Sequence, residues 1–517
     1  MKGAVVMTFR SEVEKWCIQE VTAAGRTDGN PFTDYTIKGI FSGKNETVSV
    51  HGFYDGDGIY KVRFMPSFEG HYKFTIEGTF CENAGDPISG EFDVIAPEHG
   101  NHGPVRVANK YHFAYEDGTP YYSVGTTCYV WELQSDDMIE RTFKTLREGV
   151  FNKIRFCIFP KHYAYNLGEP RSYPYVGTPM DSSILNDENF GQYTGREGDN
   201  NWDFSRFNLE HFRHIERCIG RLSDMGIEAD LIVMHPYDRW GFAWMKPGDD
   251  DLYWNYVIAR FAAHRNVWWS LANEYDLMGG KTLGDWERYA GIICSEDPYN
   301  HLRSIHNCKL MYDYTRPWVT HCSIQRQDLY KSAELVDEYR VRYGKPVVMD
   351  EMAYEGDIQY GWGNITAQEM VRRFWEASCR GGYAGHGETY LSADNKLWWS
   401  HGGVLHGESA ERLKFLHGIL SKTPGIGLKP YNKERSDEVV AVPEEEQFCD
   451  VYSYYLCYYT FMQPRFRDFY FDDRTKFHVN VIDTWNMTVE DRGTYYGHFR
   501  IALPGKQYMA VQLIKTE

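Results

Sequence analysis

The stretch Trp268–Asp276, WWSLANEYD, joins two patterns that together decide the fold. It begins inside an apolar run, residues 266–271, which is typical of a buried strand. It then continues with an amide and a carboxylate side by side, Asn273 and Glu274. One glutamate at a strand end is weak evidence for chemistry. A second glutamate at the end of another strand would be much stronger.

On both sides of this stretch, apolar strand-like runs alternate with helical patterns from about residue 105 to residue 430. The periodicity predicts helices over residues 205–225, 333–343 and 366–381. It predicts eight strands, at residues 121–125, 152–159, 228–235, 267–273, 301–307, 318–323, 346–351 and 382–385. About eight such units match a (β/α)₈ barrel. A doubly wound sheet is the rival fold, but its glycine-rich turn at the first helix start is missing.

The segments that flank the barrel pattern have the character of β-domains. Residues 1–97 contain short alternating runs separated by Gly, Asn and Pro, which predict an immunoglobulin-like β-sandwich. A polar segment, residues 96–104, marks the first boundary. Strand-like runs return near the C-terminus and predict a second, smaller β-sandwich. The predicted domains are therefore residues 1–97, 105–430 and 431–517.

Composition argues against several classes of function. The chain has 517 residues and a net charge of −18, and a nucleic-acid-binding protein normally carries a basic face, so we expect no nucleic-acid partner. No run approaches about 18 apolar residues, and we expect no membrane partner. The scattered cysteines and the lack of a signal-peptide pattern favour free thiols and a cytoplasmic location. The sequence is compatible with a homo-oligomer but does not specify one.

The second glutamate ends the predicted seventh strand, in the stretch KPVVMDE, residues 345–351. Carboxyl ends of barrel strands face one mouth, so Glu274 and Glu351 are expected to converge there. Glycoside hydrolysis needs such a pair: one carboxyl protonates the leaving oxygen, and the other attacks the anomeric carbon from about 5–5.5 Å away in retaining enzymes. Asp350 competes with Glu351. Because adjacent strand side chains point to opposite faces, only one is expected to face the mouth, and we favour Glu351.

The Asn-Glu pair and the glutamate of strand seven resemble the large clan of retaining (β/α)₈ glycoside hydrolases. Within that clan the chain is most similar to bacterial glycoside hydrolases related to the apiosidase-like barrels, with N-terminal immunoglobulin-like and C-terminal β-sandwich domains. The resemblance covers nearly the whole chain, through VEKWCIQEVTAAGRTDGNPF, FYDGDGIYKVRFMP, MGIEADLIVMHPYDRWGF, WWSLANEYD, KPVVMDE, GHGETY and QPRFRDFYFDD. It implies that Glu274 is the acid/base and Glu351 the nucleophile. Clan members often have a tyrosine after strand six that bonds the nucleophile, and His321 is expected to replace it here.

Further side chains near the predicted strand ends are candidates for substrate binding. Asn273 has an amide that could hold the hydroxyl beside the reacting carbon. Arg155, inside strand two, could orient Glu351 or form a purely structural pair. Trp240 could offer a flat apolar face to a sugar ring or pack in the core. The other candidates follow strands one, three, five and eight: Trp131, His235, Tyr237, Asp238, His306, Glu388, Trp398 and Trp399.

The sequence predicts neither a metal nor another cofactor. Metal-dependent barrels often have an HxH motif after strand one, where this chain has Thr126-Thr127-Cys128. The histidines considered as ligands, His235, His306 and His321, follow different strands. A GxSxG elbow and a P-loop are also missing from the sequence.

The sequence therefore predicts a retaining, exo-acting β-glycosidase of bacterial type that hydrolyses a small glycoside. The apiosidase-like resemblance implies a plant-derived pentofuranoside, and a β-galactoside or other pyranoside is the alternative substrate. One rival hypothesis is an inactive barrel that only binds carbohydrate and needs neither glutamate. A second is an inverting hydrolase, which would have a wider gap between its carboxyl groups.

Overall fold

The central architecture in the computed structural model is a parallel eight-stranded sheet surrounded by helices. The structure describes residues 7–81, 88–186, 188–192, 199–328, 330–392, 396–431 and 438–516. The barrel strands are β1 (Gly125–Thr127), β2 (Lys153–Cys157), β3 (Glu228–Met234), β4 (Val267–Ala272), β5 (Arg303–Ser304), β6 (Cys322–Gln325), β7 (Val347–Glu351) and β8 (Tyr383–His386). Their order is β5-β4-β3-β2-β1-β8-β7-β6, and a parallel bridge from His306 to Ser323 joins its two ends. The predicted (β/α)₈ barrel is confirmed.

Strands of the barrel are buried on both faces, which explains their nearly continuous apolar sequences. Every residue of β2, β3, β4 and β7 is buried. The helices are α1 (Asp136–Glu148), α2 (Leu209–Asp224), α3 (Pro247–Phe261), α4 (Leu283–Glu296), α5 (Val336–Tyr343), α6 (Ala367–Cys379), α7 (Trp398–His401) and α8 (Ser409–Leu420). Short 3₁₀ helices occupy Trp131–Leu133, Phe190–Gln192, Phe242–Trp244, Tyr275–Leu277, Ala333–Leu335 and Gly361–Gly363.

Several predicted boundaries were wrong, including that of the sixth strand, which begins at Cys322 rather than at residue 318, and local hydrogen bonding explains two others. The first strand begins at Gly125 rather than at residue 121, because the side chain of Asn152 accepts the N–H of Val124 at 2.8 Å and takes the place of the ladder. The predicted helix over residues 205–225 begins only at Leu209, because Asn201–Phe207 is a strand paired with Tyr175–Thr178. That hairpin lies in the long segment after β2.

Two sheets form the N-terminal β-region. One has the order Met7–Thr8, Gln19–Ala24, Ile59–Phe64, Phe53–Tyr54, and the other has the order Glu12–Glu14, Ile88–Ile95, Gly70–Glu77, Lys38–Ser42, Thr47–His51. Phe41 of the second sheet stacks on Phe64 of the first, with centroids 4.6 Å apart, so the sheets pack face to face. Arg63 donates to Glu216 of α2 at 2.6 Å.

The C-terminal region is also β-structure. A six-stranded sheet has the order Leu428–Pro430, Val439–Pro443, Tyr454–Tyr458, Met509–Thr516, Lys476–Asp483, Thr488–Tyr496, and Phe466–Tyr470 pairs with His498–Ala502. Their core includes Phe477, Val479, Val511 and Leu513. Two further short pairs are Val105–Ala108 with His112–Tyr115 and Glu355–Gly356 with Glu388–Thr389.

By its internal contacts the chain divides into two compact units. The first comprises residues up to Val105, Glu132–Ser135 and Phe156–Ile305, and the second comprises Arg106–Trp131, Asp136–Arg155 and the chain from His306 onward. Glu274 belongs to the first unit and Glu351 to the second. The boundaries of the three predicted domains stay predictions.

The eleven cysteines are free thiols in the structure. Among the described residues, no helix is long and apolar enough to cross a membrane.

Candidate active site

Glu274 lies at a backbone kink immediately after β4. The N–H of Asn273 donates to the carbonyl of Met234 at 2.9 Å, which extends the pairing of β4 with β3 by one residue. Glu274 then adopts φ of 50°, in the left-handed region that non-glycine residues rarely occupy. Such positions cost about 1–3 kcal/mol and cluster at functional sites. The kink ends the strand, and Glu274 as a residue is only 5% exposed.

The phenol of Tyr237 is the partner that the structure shows for the Glu274 carboxylate. Its O–H donates to Oε2 of Glu274. The ring of Tyr237 lies 4.4 Å from Nζ of Lys161 and contacts the ring of Tyr163 at 4.7 Å. The carbonyl of Tyr237 accepts the N–H of His162 at 2.8 Å. The segments after β2 and β3 therefore hold the Tyr237 hydroxyl, a neutral donor, against the Glu274 carboxylate.

The rest of the predicted HPYDRWG site shapes this loop. Nε2 of His235 donates to the carbonyl of Phe159 at 3.2 Å, and burial, with Lys161 nearby, lowers the pKa of His235 to about 3. Asp238 accepts the N–H groups of Trp240 and Ala243, at 2.7 and 2.9 Å, and burial raises its pKa to about 6. Trp240 is 1% exposed, which corresponds to the core-packing alternative rather than to an open sugar platform.

One oxygen of the Glu351 carboxylate accepts two hydrogen bonds and also lies close to a histidine nitrogen. Nη1 of Arg155 donates to Oε1 at 2.8 Å, and Nε2 of His306 lies 3.3 Å from the same atom. The hydroxyl of Tyr129 also donates to Oε1. Glu351 and its partners all lie in the second unit. Arg155 therefore contacts Glu351. The alternative in which Arg155 orients this glutamate requires that contact.

The side chains of Asp350 and Glu351 are arranged differently from the sequence-based expectation. The two side chains do not use opposite faces: Asp350 accepts from Lys153 at 2.8 Å and Glu351 from Arg155, and these partners are two residues apart on β2. A bulge in the pairing of β6 with β7, between Ser323 and Gln325, permits this. The expectation that the two adjacent side chains point to opposite faces was wrong. Asp350 forms the lower layer, and Glu351 forms the layer at the carboxyl end.

His306 lies between Asp350 and Glu351 in a chain of polar contacts. The hydroxyl of Ser323 donates to Oδ2 of Asp350 at 2.6 Å and lies 3.1 Å from Nδ1 of His306. Nε2 of His306 lies 3.2 Å from Oε1 of Gln325 and 3.3 Å from Oε1 of Glu351. Both ring nitrogens therefore have polar partners, which position the ring beside the Glu351 carboxylate.

Electrostatics keep both acids of β7 ionised. Burial by itself would raise the pKa of Glu351, but His306, Arg155 and Tyr129 outweigh it and hold that pKa well below its usual value. Burial likewise opposes ionisation of Asp350, and Lys153 and Arg155 lower its pKa. A carboxylate that is buried and yet ionised is ready to act as an anion.

Tyr129 was missed by the sequence analysis. His321 was expected to support the nucleophile, but its ring packs edge-on against Phe113 and its Nδ1 lies 3.0 Å from the Thr320 hydroxyl. The support that the structure shows comes from Tyr129 and His306 instead. The indication in the sequence that could have identified this residue is that Tyr129 lies two residues after β1.

The predicted tryptophans lie in packed surroundings. Trp131 is fully buried and packs edge-on against Phe143 of α1. Nε1 of Trp398 donates to Oγ1 of Thr126 at 2.8 Å. Trp399 contacts the ring of Tyr129 at 5.4 Å. Trp399 thus braces a direct partner of Glu351.

Glu388 is buried, and both its oxygens accept backbone donors. The N–H groups of His406 and Gly407 reach them at 2.5 and 2.9 Å. Burial raises the pKa of Glu388 to about 7. Its role as a sugar ligand stays a prediction, as do the substrate-binding roles of the other candidates.

Three stretches of the chain match known protein families. Residues 107–412 match the family described as Apiosidase-like, catalytic domain. Residues 12–79 and 444–514 match two domains of unknown function, DUF5060 and DUF5605. No curated protein matches the sequence.

Two solved structures are similar to this chain over most of its length. A Bacteroides vulgatus ATCC 8482 protein assigned, without a stated substrate, to the glycoside hydrolases is 33% identical, with a TM-score of 0.88 over 98% of this chain and 100% of that chain. Another glycoside hydrolase, 14% identical, shares the fold with a TM-score of 0.56 over 80% of this chain and 98% of that chain.

Proposed function

The chain belongs to the apiosidase-like family of glycoside hydrolases, and from this premise we propose that it is a retaining, exo-acting β-glycosidase. Glu351 is the proposed nucleophile and Glu274 the proposed acid/base. The observation that carries the proposal is the Glu351 carboxylate, buried yet kept ionised by Tyr129, Arg155 and His306.

The geometry around Glu351 suits nucleophilic attack. The contacts from Arg155, Tyr129 and His306 all end on Oε1, which leaves Oε2 as the proposed attacking atom. Oε2 forms a bond to the anomeric carbon while the bond to the leaving oxygen breaks, giving a glycosyl ester. The cation of Arg155 stabilises the carboxylate before attack and after the ester is hydrolysed.

Glu274 has the opposite requirement, because an acid/base must gain and lose a proton in each cycle. Its partner is a neutral phenol rather than a cation. In the first step Glu274 gives its proton to the leaving oxygen. In the second step it takes a proton from water, which attacks the anomeric carbon and releases Glu351. Tyr237 orients Glu274 without fixing its charge, and Asn273 is proposed to bind the hydroxyl beside the reacting carbon.

The proposed substrate is a small glycoside cleaved from one end. The family supports a plant-derived pentofuranoside, with β-galactosides and other pyranosides as the alternative class. The residues described above do not select between a furanose and a pyranose ring.

A panel of chromogenic α- and β-glycosides, both furanosides and pyranosides, tests the function. We expect the wild type to cleave at least one β-glycoside and Glu351→Ala to be inactive while folded. Glu338→Gln, a change at an exposed carboxylate of α5, is the matched control and should retain full activity. If no chromogenic or natural plant glycoside is cleaved, yet sugars bind equally to wild type and Glu351→Ala, the chain is a carbohydrate-binding barrel and the proposal is wrong.

A further inference from the structure

Three buried side chains after β7 and at the end of β8 are arranged like metal ligands. One ring nitrogen of His386 and one oxygen each of Glu355 and Glu388 lie within 4.8 Å of one another. None of the three residues is more than 2% exposed. Glu355 and Glu388 are register partners in a short parallel ladder, so their side chains leave it on the same face. The backbone thus sets two carboxylates side by side.

This pair of carboxylates lacks the cations that surround Glu351. Glu355 accepts the N–H groups of Glu408 and Ser409 at 2.8 and 3.2 Å, and Glu388 accepts those of His406 and Gly407. Within the described ranges, no lysine or arginine forms an ion pair with either carboxylate. Two neighbouring buried carboxylates require a cation or a proton between them.

The free nitrogen of His386 supplies an independent observation. Nε2 is buried and has no hydrogen-bond partner, whereas Nδ1 lies 2.9 Å from Oγ1 of Thr126. Oγ1 also accepts Nε1–H of Trp398 and has a second lone pair for Nδ1–H. In that tautomer Nε2 has a free lone pair. An imidazole with one nitrogen on an oxygen and the other free is the usual arrangement of a metal-binding histidine.

We propose that Glu355, His386 and Glu388 bind one divalent cation of the Zn²⁺ or Mn²⁺ type. Two carboxylate oxygens and one imidazole nitrogen form a mixed donor set that suits these ions better than Ca²⁺ or Mg²⁺, which prefer oxygen alone. Glutamate, histidine and glutamate fill three positions, and water completes the coordination. The cation neutralises the paired carboxylates.

The surrounding backbone is shaped to the cluster. A Cβ added at Gly407 would lie 2.5 Å from Cδ of Glu355, so only glycine permits the loop before α8 to approach this closely. A Cβ at Gly387 would lie 2.3 Å from the ring of Tyr354, which precedes Glu355. The cation therefore has a structural role: it joins the segments after β7 and β8 to the start of α8.

The test is the metal content and thermal stability of the full chain, and it does not depend on the substrate. Protein produced with Zn²⁺ and Mn²⁺ in the medium should contain about one equivalent of one of them by mass spectrometry. Protein produced in chelated medium should melt at least about 5 °C lower, and adding that metal should restore the midpoint. Ca²⁺ and Mg²⁺ at the same concentration should not.

Variants separate a built site from adventitious binding. Glu388→Gln and His386→Gln should lose the bound metal and the metal-dependent rise in melting temperature. Glu408→Gln, whose side chain is 64% exposed beside the same loop, should keep both. A metal-free protein whose melting temperature is unchanged by Zn²⁺ and Mn²⁺ would overturn the proposal, as would metal that persists in both variants. If a variant does not fold, the wild-type measurement in chelated medium still decides.

Discussion

The surroundings of Glu351 and Glu274 differ in charge although each residue ends or follows a buried barrel strand. One oxygen of Glu351 accepts from a phenol and a guanidinium and lies 3.3 Å from a histidine nitrogen. Among the described residues, the side chain that donates to Glu274 is a phenol, and Glu274 has a left-handed backbone conformation. A carboxylate that must stay an anion is favoured by a neighbouring cation, whereas one that must exchange a proton is not. The difference in partners therefore distinguishes the two proposed roles, which strand position alone does not.

The largest expected effect is the loss of the nucleophile. Glu351→Ala should lower kcat by about 10⁴-fold or more, because no covalent intermediate can form. Azide should restore turnover and give a glycosyl azide of inverted configuration, measurable by NMR. Rescue with retained configuration would contradict the assignment.

The second effect depends on the leaving group. Glu274→Ala should lower kcat/KM by about 10²–10⁴-fold for an alkyl glycoside, which needs a proton on its leaving oxygen. The loss should be much smaller for a dinitrophenyl glycoside, whose leaving group needs no proton. Comparing the two substrates in wild type and variant measures this. An equal loss for both would show that Glu274 is not the acid.

The third effect concerns the histidine beside Glu351. His306→Asn should lower kcat by about 10–100-fold, since it removes a polar contact of the nucleophile. His306 lowers the pKa of Glu351, so in the variant that pKa should rise and the acidic limb of the pH profile of kcat/KM should move to higher pH. His112→Asn is the control, because that buried ring bonds Tyr383 and Glu444 instead. An unchanged acidic limb in His306→Asn would contradict the role of His306 in lowering the pKa of Glu351.

The smallest effect is on stability and concerns a buried carboxylate with which no described residue forms a salt bridge. Glu228, at the start of β3, accepts Nε1–H of Trp268 at 2.8 Å, and burial raises its pKa to about 8 although Trp268 and the charge of Arg265 oppose that rise. The folded state keeps a proton that the unfolded state loses above its ordinary pKa, so stability falls as pH rises through that window. Glu228→Gln should therefore raise the free energy of unfolding by about 1–3 kcal/mol at pH 8 and change it little at pH 4. Urea unfolding at both values measures this, and a gain that is independent of pH would contradict it.

The sequence predicted the barrel because fully buried parallel strands leave long apolar runs. It indicated both glutamates as candidates because they end or follow such runs, and their catalytic roles stay predictions. It did not predict that Asp350 and Glu351 reach the same face, because a bulge depends on the register of β6 with β7. Tyr129 was missed because its contact with Glu351 joins strands distant in sequence. The sequence also left open whether Trp240 is buried, because it does not distinguish a buried ring from an exposed one.

The cluster of Glu355, His386 and Glu388 shows the same limit for metal ligands. The sequence-based expectation of no metal rested on the missing HxH motif and on His235, His306 and His321. The three ligands proposed here lie in YEG and GHGET, residues 354–356 and 385–389. They come together only because two short strands pair in register. No spacing rule along the chain would have indicated them.

The central claim is that Glu351 attacks the anomeric carbon, and covalent trapping tests it most directly. The wild type is incubated with a 2-fluoro analogue of whichever glycoside it cleaves, digested, and the labelled peptide is sequenced by mass spectrometry. We expect one sugar per chain, attached to Glu351, and no label in Glu351→Ala. A label on Asp350 or Glu274 would contradict it, as would steady hydrolysis of the analogue to a product of inverted configuration.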